Sequence, residues 1–225
     1  MKIKKPRPIQ QIIEEQVNKW RTTYPQKEKK KVSVITISRQ TGSGGHILAQ
    51  HLAQELGFDF FDQEITQAVA ENAHMRTLVV ESLDEKGVSA IEEIIAAVTE
   101  KHHLWGYEYM QHLVRVIATI GKHGHAVILG RGANFILPRD EILRVRVIAP
   151  IEHRIKNIAE WLNFSPEEAK EYILKVDSER KDFIKKYFKA NIDDPEINDL
   201  VINLENLSIE AGIEIIKTAL AYRNA

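Results

Sequence analysis

Three glycines stand close together in residues 39–46, where the sequence reads R-Q-T-G-S-G-G-H. Glycine tolerates positive φ and has no Cβ, so Gly42, Gly44 and Gly45 allow the backbone to curl around phosphate oxygens. A helix that starts at such a turn adds backbone N–H groups and the positive end of its dipole. A tight turn that only packs a helix on a strand is the alternative. The candidate phosphate cradle consists of Thr41, Gly42, Ser43, Gly44, Gly45 and His46.

The same segment departs from the mononucleotide-binding pattern G-x-x-x-x-G-K-[ST] at three positions. Arg39 stands at the first glycine, Gly45 at the phosphate-binding lysine and His46 at the magnesium-binding hydroxyl. Without the lysine, another cation must act on the β- and γ-phosphates if phosphoryl transfer is to occur. Arg39 is the nearest candidate in sequence. Because histidine is a poor magnesium ligand, we expect Mg²⁺ to be held mainly by phosphates, water and carboxylates.

A dinucleotide-binding turn is a second interpretation of these glycines. Gly42 and Gly44 match the first two positions of G-x-G-x-x-G, but Ile47 stands at the third. Asp62, after the next predicted strand, is placed where an acidic residue could bind a ribose. The large side chain of Ile47 disfavours a dinucleotide-dependent oxidoreductase.

The histidines do not form a recognisable metal site. The pairs His102-His103 and His123-Gly124-His125 lack the i,i+4 spacing and the acidic companions of zinc-binding patterns. We therefore predict that no metal is held by protein side chains alone.

Alternating strands and helices must position these residues. Short apolar runs predict strands, and stripes at helical spacing follow them. The alternation predicts a three-layer α/β fold, in which helices cover both faces of a five-stranded parallel sheet. The predicted strands are Val32–Ile37, Phe58–Phe61, Ala126–Leu129, Leu143–Ala149 and Leu200–Leu204.

Two segments lie outside this alternation. In residues 1–31, apolar residues recur at helical spacing from Ile9 to Trp20, and a basic run at 27–31 follows. The basic run could contact phosphates or form a solvated linker. We expect the helix to pack on the domain or on a second subunit, which makes a homodimer possible. Residues 75–122 are predicted to be a helical insertion that could cover a substrate.

Composition narrows the classes of function. At 225 residues, 44% hydrophobic and 28% charged, the chain has the make-up of one globular α/β domain with insertions, covering residues 32–225. The net charge of −1 provides no field that would attract nucleic acid or an anionic membrane. The absence of cysteine excludes disulfides and thiolate chemistry. No signal peptide or spanning segment is visible, so we expect a cytoplasmic protein.

Five motifs follow one another along roughly residues 32–220. They read ITISRQTGSGGHILAQHLAQELGFDFFDQEI, VILGRGANFIL, RVIAPIEHRIKNIAE, VDSERKDFIKKYF and NDLVINLENLSIEAGIEII. In this order they resemble the cytidylate-kinase-like family of bacterial proteins, whose loop carries S-R-x-x-G-S-G-G. The missing lysine is then a trait of the family. The resemblance implies a P-loop NTPase-like fold and a nucleoside monophosphate kinase that uses ATP with Mg²⁺ and phosphorylates CMP or dCMP.

The resemblance also implies roles for individual residues. Arg131 matches the arginine that grips the acceptor's phosphate, although a surface turn is the alternative. Arg180 matches the lid arginine of D-x-x-R that stabilises charge on the moving phosphoryl, although it could simply pair with Asp177 at i,i+3. Arg154 resembles a further arginine of the lid. Asp62 resembles the acidic residue near the monophosphate, with a helix N-cap as the equal alternative.

Together these observations predict a kinase whose missing lysine charge is supplied by Arg39, Arg154 and Arg180. The last two belong to a lid region at about residues 151–190. A non-catalytic nucleotide- or phosphate-binding module is the second hypothesis, because the lysine is absent. An oxidoreductase is the third.

Overall fold

A computed structural model describes residues 8–23, 32–104 and 107–225 of the chain. It divides into two compact units, described separately below. The described residues of the helical unit are 8–23, 62–104 and 107–124, and those of the sheet unit are 32–61 and 125–225. The basic run at residues 27–31 lies outside the described residues.

The strands all belong to the sheet unit and form one parallel sheet in the order β2-β3-β1-β4-β5. This confirms the predicted five-stranded sheet. The first strand begins and ends two residues later than predicted. It continues past Ile37 because Ser38 and Arg39 still pair with β4 although they are polar. The strands are β1 Val34–Arg39, β2 Asp59–Phe61, β3 Ala126–Leu129, β4 Ile142–Ile148 and β5 Leu200–Asn203.

Helices connect the strands, and they are numbered here in chain order. The helices of the described residues are α1 Ile9–Thr23, α2 Gly45–Leu56, α3 Gln63–Glu71, α4 Ala73–Val80, α5 Glu85–His102, α6 Glu108–His123, α7 Ala133–Ile136, α8 Ile151–Leu162, α9 Pro166–Phe188 and α10 Ile209–Arg223. A 3-10 turn at Pro195–Ile197 precedes β5. None of these helices combines the length and apolarity needed to cross a bilayer.

One face of the sheet packs against α2 and α10. Side chains alternate across a strand, so odd-numbered residues of β1 and β4 share this face. They meet the apolar stripe of each helix, and the resulting core fixes α2 directly behind the turn that follows β1. The residues of this core include Ile35, Ile37, Val145 and Val147 from the sheet, Leu48 and Leu52 from α2, and Ile213 and Ile216 from α10.

The helices α8 and α9 occupy the region predicted as a lid and pack on each other through Ile158, Ala169 and Ile173. The start of α9 is determined locally. Ser165 Oγ accepts a hydrogen bond from Glu168 N at 3.2 Å, and Glu168 Oε2 accepts one from Ser165 N at 2.8 Å, which is a capping box. Movement of this helix pair as a lid stays a prediction.

The helical unit contains α1 and the helices α3 to α6. Its first helix buries Ile13, Val17 and Trp20, and it packs on α4. The indole of Trp20 stacks on the ring of His123 at 4.0 Å between ring centroids. The apolar stripe of α1 therefore packs against other residues of the same chain, which is the first of the two alternatives predicted for this helix. A homodimer through this helix stays a prediction.

Candidate functional site

The carboxyl ends of the three central strands are joined by backbone contacts. Gln40 N donates to Val147 O at 3.0 Å, and Gly130 N donates to Ile37 O at 2.9 Å. Gln40 Oε1 accepts from Ala149 N at 3.1 Å. The segments after β1, β3 and β4 therefore lie side by side, at the edge of a parallel sheet where ligands bind in open α/β folds.

The glycine-rich turn after β1 offers backbone donors rather than side chains. Gly44 has φ 83° and precedes α2, in which the amide of Leu48 donates to Gly44 O at 3.0 Å. The amides between them lie in the first turn, where a helix has no internal acceptors. Ser43 is buried and its hydroxyl donates to Gln40 O at 2.9 Å, so it shapes the turn. The ring of His46 packs edge-on against Phe60 at 5.7 Å.

Asp177, from α9, ties this turn to α8 and α9. Its Oδ1 accepts hydrogen bonds from the backbone N of Thr41 at 2.9 Å and from Thr41 Oγ1 at 2.7 Å. Its Oδ2 accepts from Arg154 Nη1 at 2.6 Å. The same carboxylate lies 3.6 Å from Arg180 Nη1. The predicted i,i+3 pair of Asp177 and Arg180 therefore exists, but the shorter bonds of Asp177 reach the turn and α8.

Arg154 is nearly buried, with 9% of its surface exposed, and it lies directly on the turn. Its Nη1 also contacts Thr41 O at 3.4 Å. One turn further along α8, Asn157 Nδ2 donates to Gly42 O at 2.8 Å. Asn157 was missed from the sequence, although its i+3 spacing from Arg154 places both on one face of a helix. Two side chains of α8 thus hold the carbonyl groups of the turn.

Arg180 brings a second cation from α9. Its Nη1 donates to Thr41 Oγ1 at 2.8 Å and to Arg39 O at 3.3 Å. Burial lowers the pKa of the guanidinium from its ordinary value; the charge of Asp177 opposes this shift, and the charges of Arg131 and Arg146 add to it. Arginine stays protonated despite such a shift. The site therefore concentrates positive charge beside the turn.

Two guanidinium nitrogens beside the turn are buried and have no hydrogen-bond partner among the described residues. Within residues 8–23, 32–104 and 107–225, neither Arg154 Nε nor Arg180 Nε finds a hydrogen-bond acceptor. A buried unsatisfied donor costs about 1–3 kcal/mol. An anionic ligand could accept from such donors, which is consistent with an anion site at this turn.

Arg131 lies in a strained turn after β3. Gly130, Arg131 and Gly132 have φ of 85°, 50° and 70°, and the middle value is unusual for a residue with a Cβ. The guanidinium carbon lies 5.5 Å from the ring centroid of Phe183 on α9. Gly132 packs on the ring of Phe188. This backbone holds Arg131 against α9, within electrostatic range of Arg180.

Arg146 is a further arginine of this region that was missed from the sequence. It is 4% exposed on β4, and its Nη2 donates to Asp193 Oδ1 at 2.6 Å. Its Nη1 contacts Ser38 Oγ at 3.4 Å. The signal was visible: the apolar strand ILRVRVI carries arginines at alternate positions. Buried arginines in a strand require partners, but the pattern does not show which residues of the chain these partners are.

The structure gathers most of the predicted site residues in the sheet unit. Arg39, the turn from Thr41 to His46, Arg154 and Arg180 meet there. Asp62 belongs to the helical unit, where its Oδ1 accepts from Ile65 N at 2.8 Å and caps α3. The N-cap alternative is thus present, and a contact of Asp62 with substrate stays a prediction.

No metal centre is formed by the described residues: none of their His, Asp and Glu side chains cluster in threes that could hold an ion.

A central strand that runs through a glycine-rich turn into a helix, in a five-stranded parallel sheet flanked by helices, defines the P-loop NTPase-like class of folds. Arginines converge on the turn from two later helices, an arrangement suited to kinases.

The chain belongs to the cytidylate kinase-like family, whose model matches residues 34–206. It is 29% identical over 189 residues to a cytidylate kinase of Ignicoccus hospitalis, covering 84% of this chain and 99% of the relative. A cytidylate kinase of Thermococcus kodakarensis is 27% identical over 192 residues, covering 84% of this chain and 88% of the relative. These findings confirm the resemblance seen in the five motifs.

A solved structure agrees with this fold. An uncharacterized protein from Eubacterium ventriosum aligns with a TM-score of 0.69 and 20% sequence identity, covering 85% of this chain and 99% of the other.

Proposed function

We propose that this protein is a nucleoside monophosphate kinase that transfers the γ-phosphoryl group of ATP to CMP, dCMP or a similar phosphate acceptor. The family and the names of the two relatives support this activity and this choice of acceptor. The observation that carries the proposal is the convergence of Arg154 and Arg180 on Thr41 of the glycine-rich turn.

The residues present fit a nucleoside triphosphate. The turn places backbone amides at the start of α2, and two buried arginine nitrogens beside it lack acceptors among the described residues. Mg²⁺ bound with the nucleotide would neutralise phosphate charge, with phosphates and water as its main ligands.

The chain's own residues contribute by positioning and by charge. The amides from Gly42 to His46 bind the donor phosphates, and Arg131 binds the phosphate of the acceptor bidentately. An acceptor phosphate oxygen attacks the γ-phosphorus as the bond to the leaving ADP breaks, with no covalent enzyme intermediate. Arg39, Arg154 and Arg180 stabilise the charge that spreads over the transferring group.

The test is a coupled assay of ADP release with ATP and each nucleoside monophosphate. We expect turnover with CMP or dCMP in excess of the other acceptors. The matched control is Arg131→Ala, which we expect to raise the KM for the acceptor and to lower kcat. Turnover by the wild type that does not exceed this control with any acceptor contradicts the proposal.

A non-catalytic nucleotide-binding module is the second candidate, and the absence of a lysine at Gly45 is the observation that favours it. It predicts thermal stabilisation by ATP without phosphoryl transfer. Parallel calorimetry with ATP, CMP and NAD distinguishes the candidates, because heat of binding from NAD alone would favour an oxidoreductase.

A further inference from the structure

Two departures from the mononucleotide-binding pattern are in contact in the structure. Arg39 stands at the first position of G-x-x-x-x-G-K and Gly45 at the seventh. A Cβ atom added to Gly45 would lie 2.7 Å from Arg39 Cβ and 3.3 Å from Arg39 Cγ. Val147 Cβ, on the neighbouring strand, would lie 3.1 Å from it.

Because of this contact, positions 39 and 45 cannot both carry a Cβ atom unless one of them shifts. A Cβ contact below 3.0 Å requires a shift, and here the opposing atom is the root of a side chain at the end of β1. Alanine or lysine at position 45 would therefore collide with any residue at position 39 that has a Cβ. The pattern's own glycine at position 39 removes this collision. The close atom that remains is Val147 Cβ at 3.1 Å, which must shift by a few tenths of an ångström to admit a lysine at position 45.

The guanidinium of Arg39 lies against Gly130. A Cβ atom added to Gly130 would lie 2.6 Å from Arg39 Nη1 and 3.7 Å from Arg39 Cζ. Gly130 has φ 85°, so glycine is favoured there by its backbone conformation. The side chain of Arg39 thus runs from β1 past the start of α2 to the end of β3. Its guanidinium lies at the residue directly before Arg131.

We propose that Arg39 and Gly45 are a reciprocal exchange, in which the phosphate-binding cation has moved from the seventh position of the pattern to the first. The guanidinium of Arg39, seated against Gly130, binds the β- and γ-phosphates that the lysine binds in the standard pattern. This inference rests on the proposed function for the identity of the ligand, a nucleoside triphosphate. The steric exclusion between side chains at positions 39 and 45 rests only on the contact between Arg39 and Gly45.

Arg39 differs from Arg154 and Arg180 in the element that carries it. Arg154 and Arg180 belong to α8 and α9, whereas Arg39 is part of the central strand beside the turn. A cation on a strand of the sheet is held in place before any lid movement, as a cation in the turn itself would be.

The experiment restores the standard pattern. The variants are R39G, the double variant R39G/G45K, and the double variant R39G/G45M, which adds a side chain of similar length without charge. We expect R39G to lower kcat by about 10³-fold, in the range of a transition-state arginine. R39G/G45K should exceed R39G/G45M in kcat by at least about 10-fold. G45K alone should be less stable than the wild type, because Arg39 remains.

A second readout keeps the inference separate from the kinase activity. ATP should raise the Tm of the wild type and of R39G/G45K by similar amounts, and raise the Tm of R39G and R39G/G45M much less. If no turnover occurs but this pattern of Tm shifts holds, the proposed function fails and the exchange stands. R39Q, which keeps the stem of the side chain without its charge, replaces R39G if that variant does not fold.

The inference is overturned by any of three results. The first is an R39G or R39Q variant whose kcat and ATP-dependent Tm shift lie within a few-fold of the wild-type values. The second is an equal kcat and an equal ATP-dependent Tm shift in R39G/G45K and R39G/G45M. The third is the lack of a Tm shift of the wild type with ATP.

Discussion

Arg146 and Asp193 form an ion pair that joins β4 to the segment after α9, with Arg146 Nη2 donating to Asp193 Oδ1 at 2.6 Å. Lys181 Nζ, on α9, lies 2.7 Å from the other oxygen of the same carboxylate. A single carboxylate therefore links a strand of the sheet to the helix that carries Asp177 and Arg180. We expect this linkage to support the site rather than to touch its ligands.

The first prediction concerns the stability that Asp193 provides. Asp193→Asn leaves the buried Arg146 without its anionic acceptor, so we expect a loss of about 1–2 kcal/mol in the free energy of unfolding. The value stays at the lower end because the Asp193 side chain is 39% exposed. Urea unfolding measures it. Asp182→Asn, the same change at an exposed position of α9, is the control, and an equal effect of both contradicts the role assigned to the pair.

The second prediction is the pH dependence of this linkage. Burial raises the pKa of Asp193, but hydrogen bonds from Lys181 and Arg146 and their charges outweigh burial, so the pKa lies below its ordinary value. A carboxyl group with a lowered pKa stabilises the fold above its unfolded pKa of about 4 and loses that contribution as pH falls below it. The free energy of unfolding should therefore differ less between pH 7 and pH 3 in Asp193→Asn than in the wild type. An unchanged difference would contradict this.

The third prediction concerns the carboxylate of Asp177, which contacts Arg154 and Arg180. Asp177→Asn keeps the size of the side chain but loses the charge that binds Arg154 Nη1 at 2.6 Å. We expect kcat to fall by about 10- to 100-fold, because misplaced charge costs transition-state stabilisation. Steady-state kinetics measures it, with Glu179→Gln on the exposed side of α9 as the control. A purely structural role would lower Tm and leave kcat at saturating substrate unchanged.

The fourth prediction separates backbone strain from crowding in the turn. Gly42 has φ 80°, and a Cβ there would lie 2.6 Å from the backbone oxygen of Arg154. Gly57, after α2, has φ 66° and open space around it. Gly57→Ala should cost about 1–2 kcal/mol for the left-handed backbone alone. Gly42→Ala should cost more and should weaken the ATP-dependent rise in Tm; equal costs at both positions would show that crowding by α8 is unimportant.

The fifth prediction concerns the end of the chain. Asn224 Oδ1 accepts from Val32 N at 2.6 Å, and Asn224 Nδ2 donates to Val32 O at 2.9 Å. This pair of bonds imitates a strand partner just before β1. Asn224→Ala should lower the free energy of unfolding by about 1–3 kcal/mol. Asn224→Asp, which keeps the acceptor oxygens and loses the donor, should also destabilise the fold by removing the bond to Val32 O.

Several features of the fold were predictable because they depend on neighbours in sequence. Short apolar runs identified the strands, whereas the capping box of Ser165 and Glu168 at the start of α9, an equally local signal, was missed from the sequence. The glycines of the turn required a backbone that few other residues adopt, so the loop between β1 and α2 was visible in the pattern. The strand limits were less predictable, since Ser38 and Arg39 extend β1 only because β4 lies beside them.

The partners of the arginines were not predictable in the same way. Thr41 and Asp177 are 136 residues apart, and Arg146 and Asp193 are 47 apart, so their meeting depends on strand order and on the packing of α8 and α9. The sequence placed Asp177 in a D-x-x-R motif whose members could simply pair with each other. The structure adds the bonds of Asp177 to the turn, which no local spacing contains.

The sequence by itself determined a parallel α/β sheet and a glycine-rich turn without the lysine of the mononucleotide-binding pattern, because hydrophobic periodicity and glycine's conformational range are local properties. Only the tertiary structure decided that Arg39 lies on Gly45 and reaches Gly130. The physical reason is that a steric exclusion between two positions exists only when the curled turn and the neighbouring strand bring their Cβ positions together.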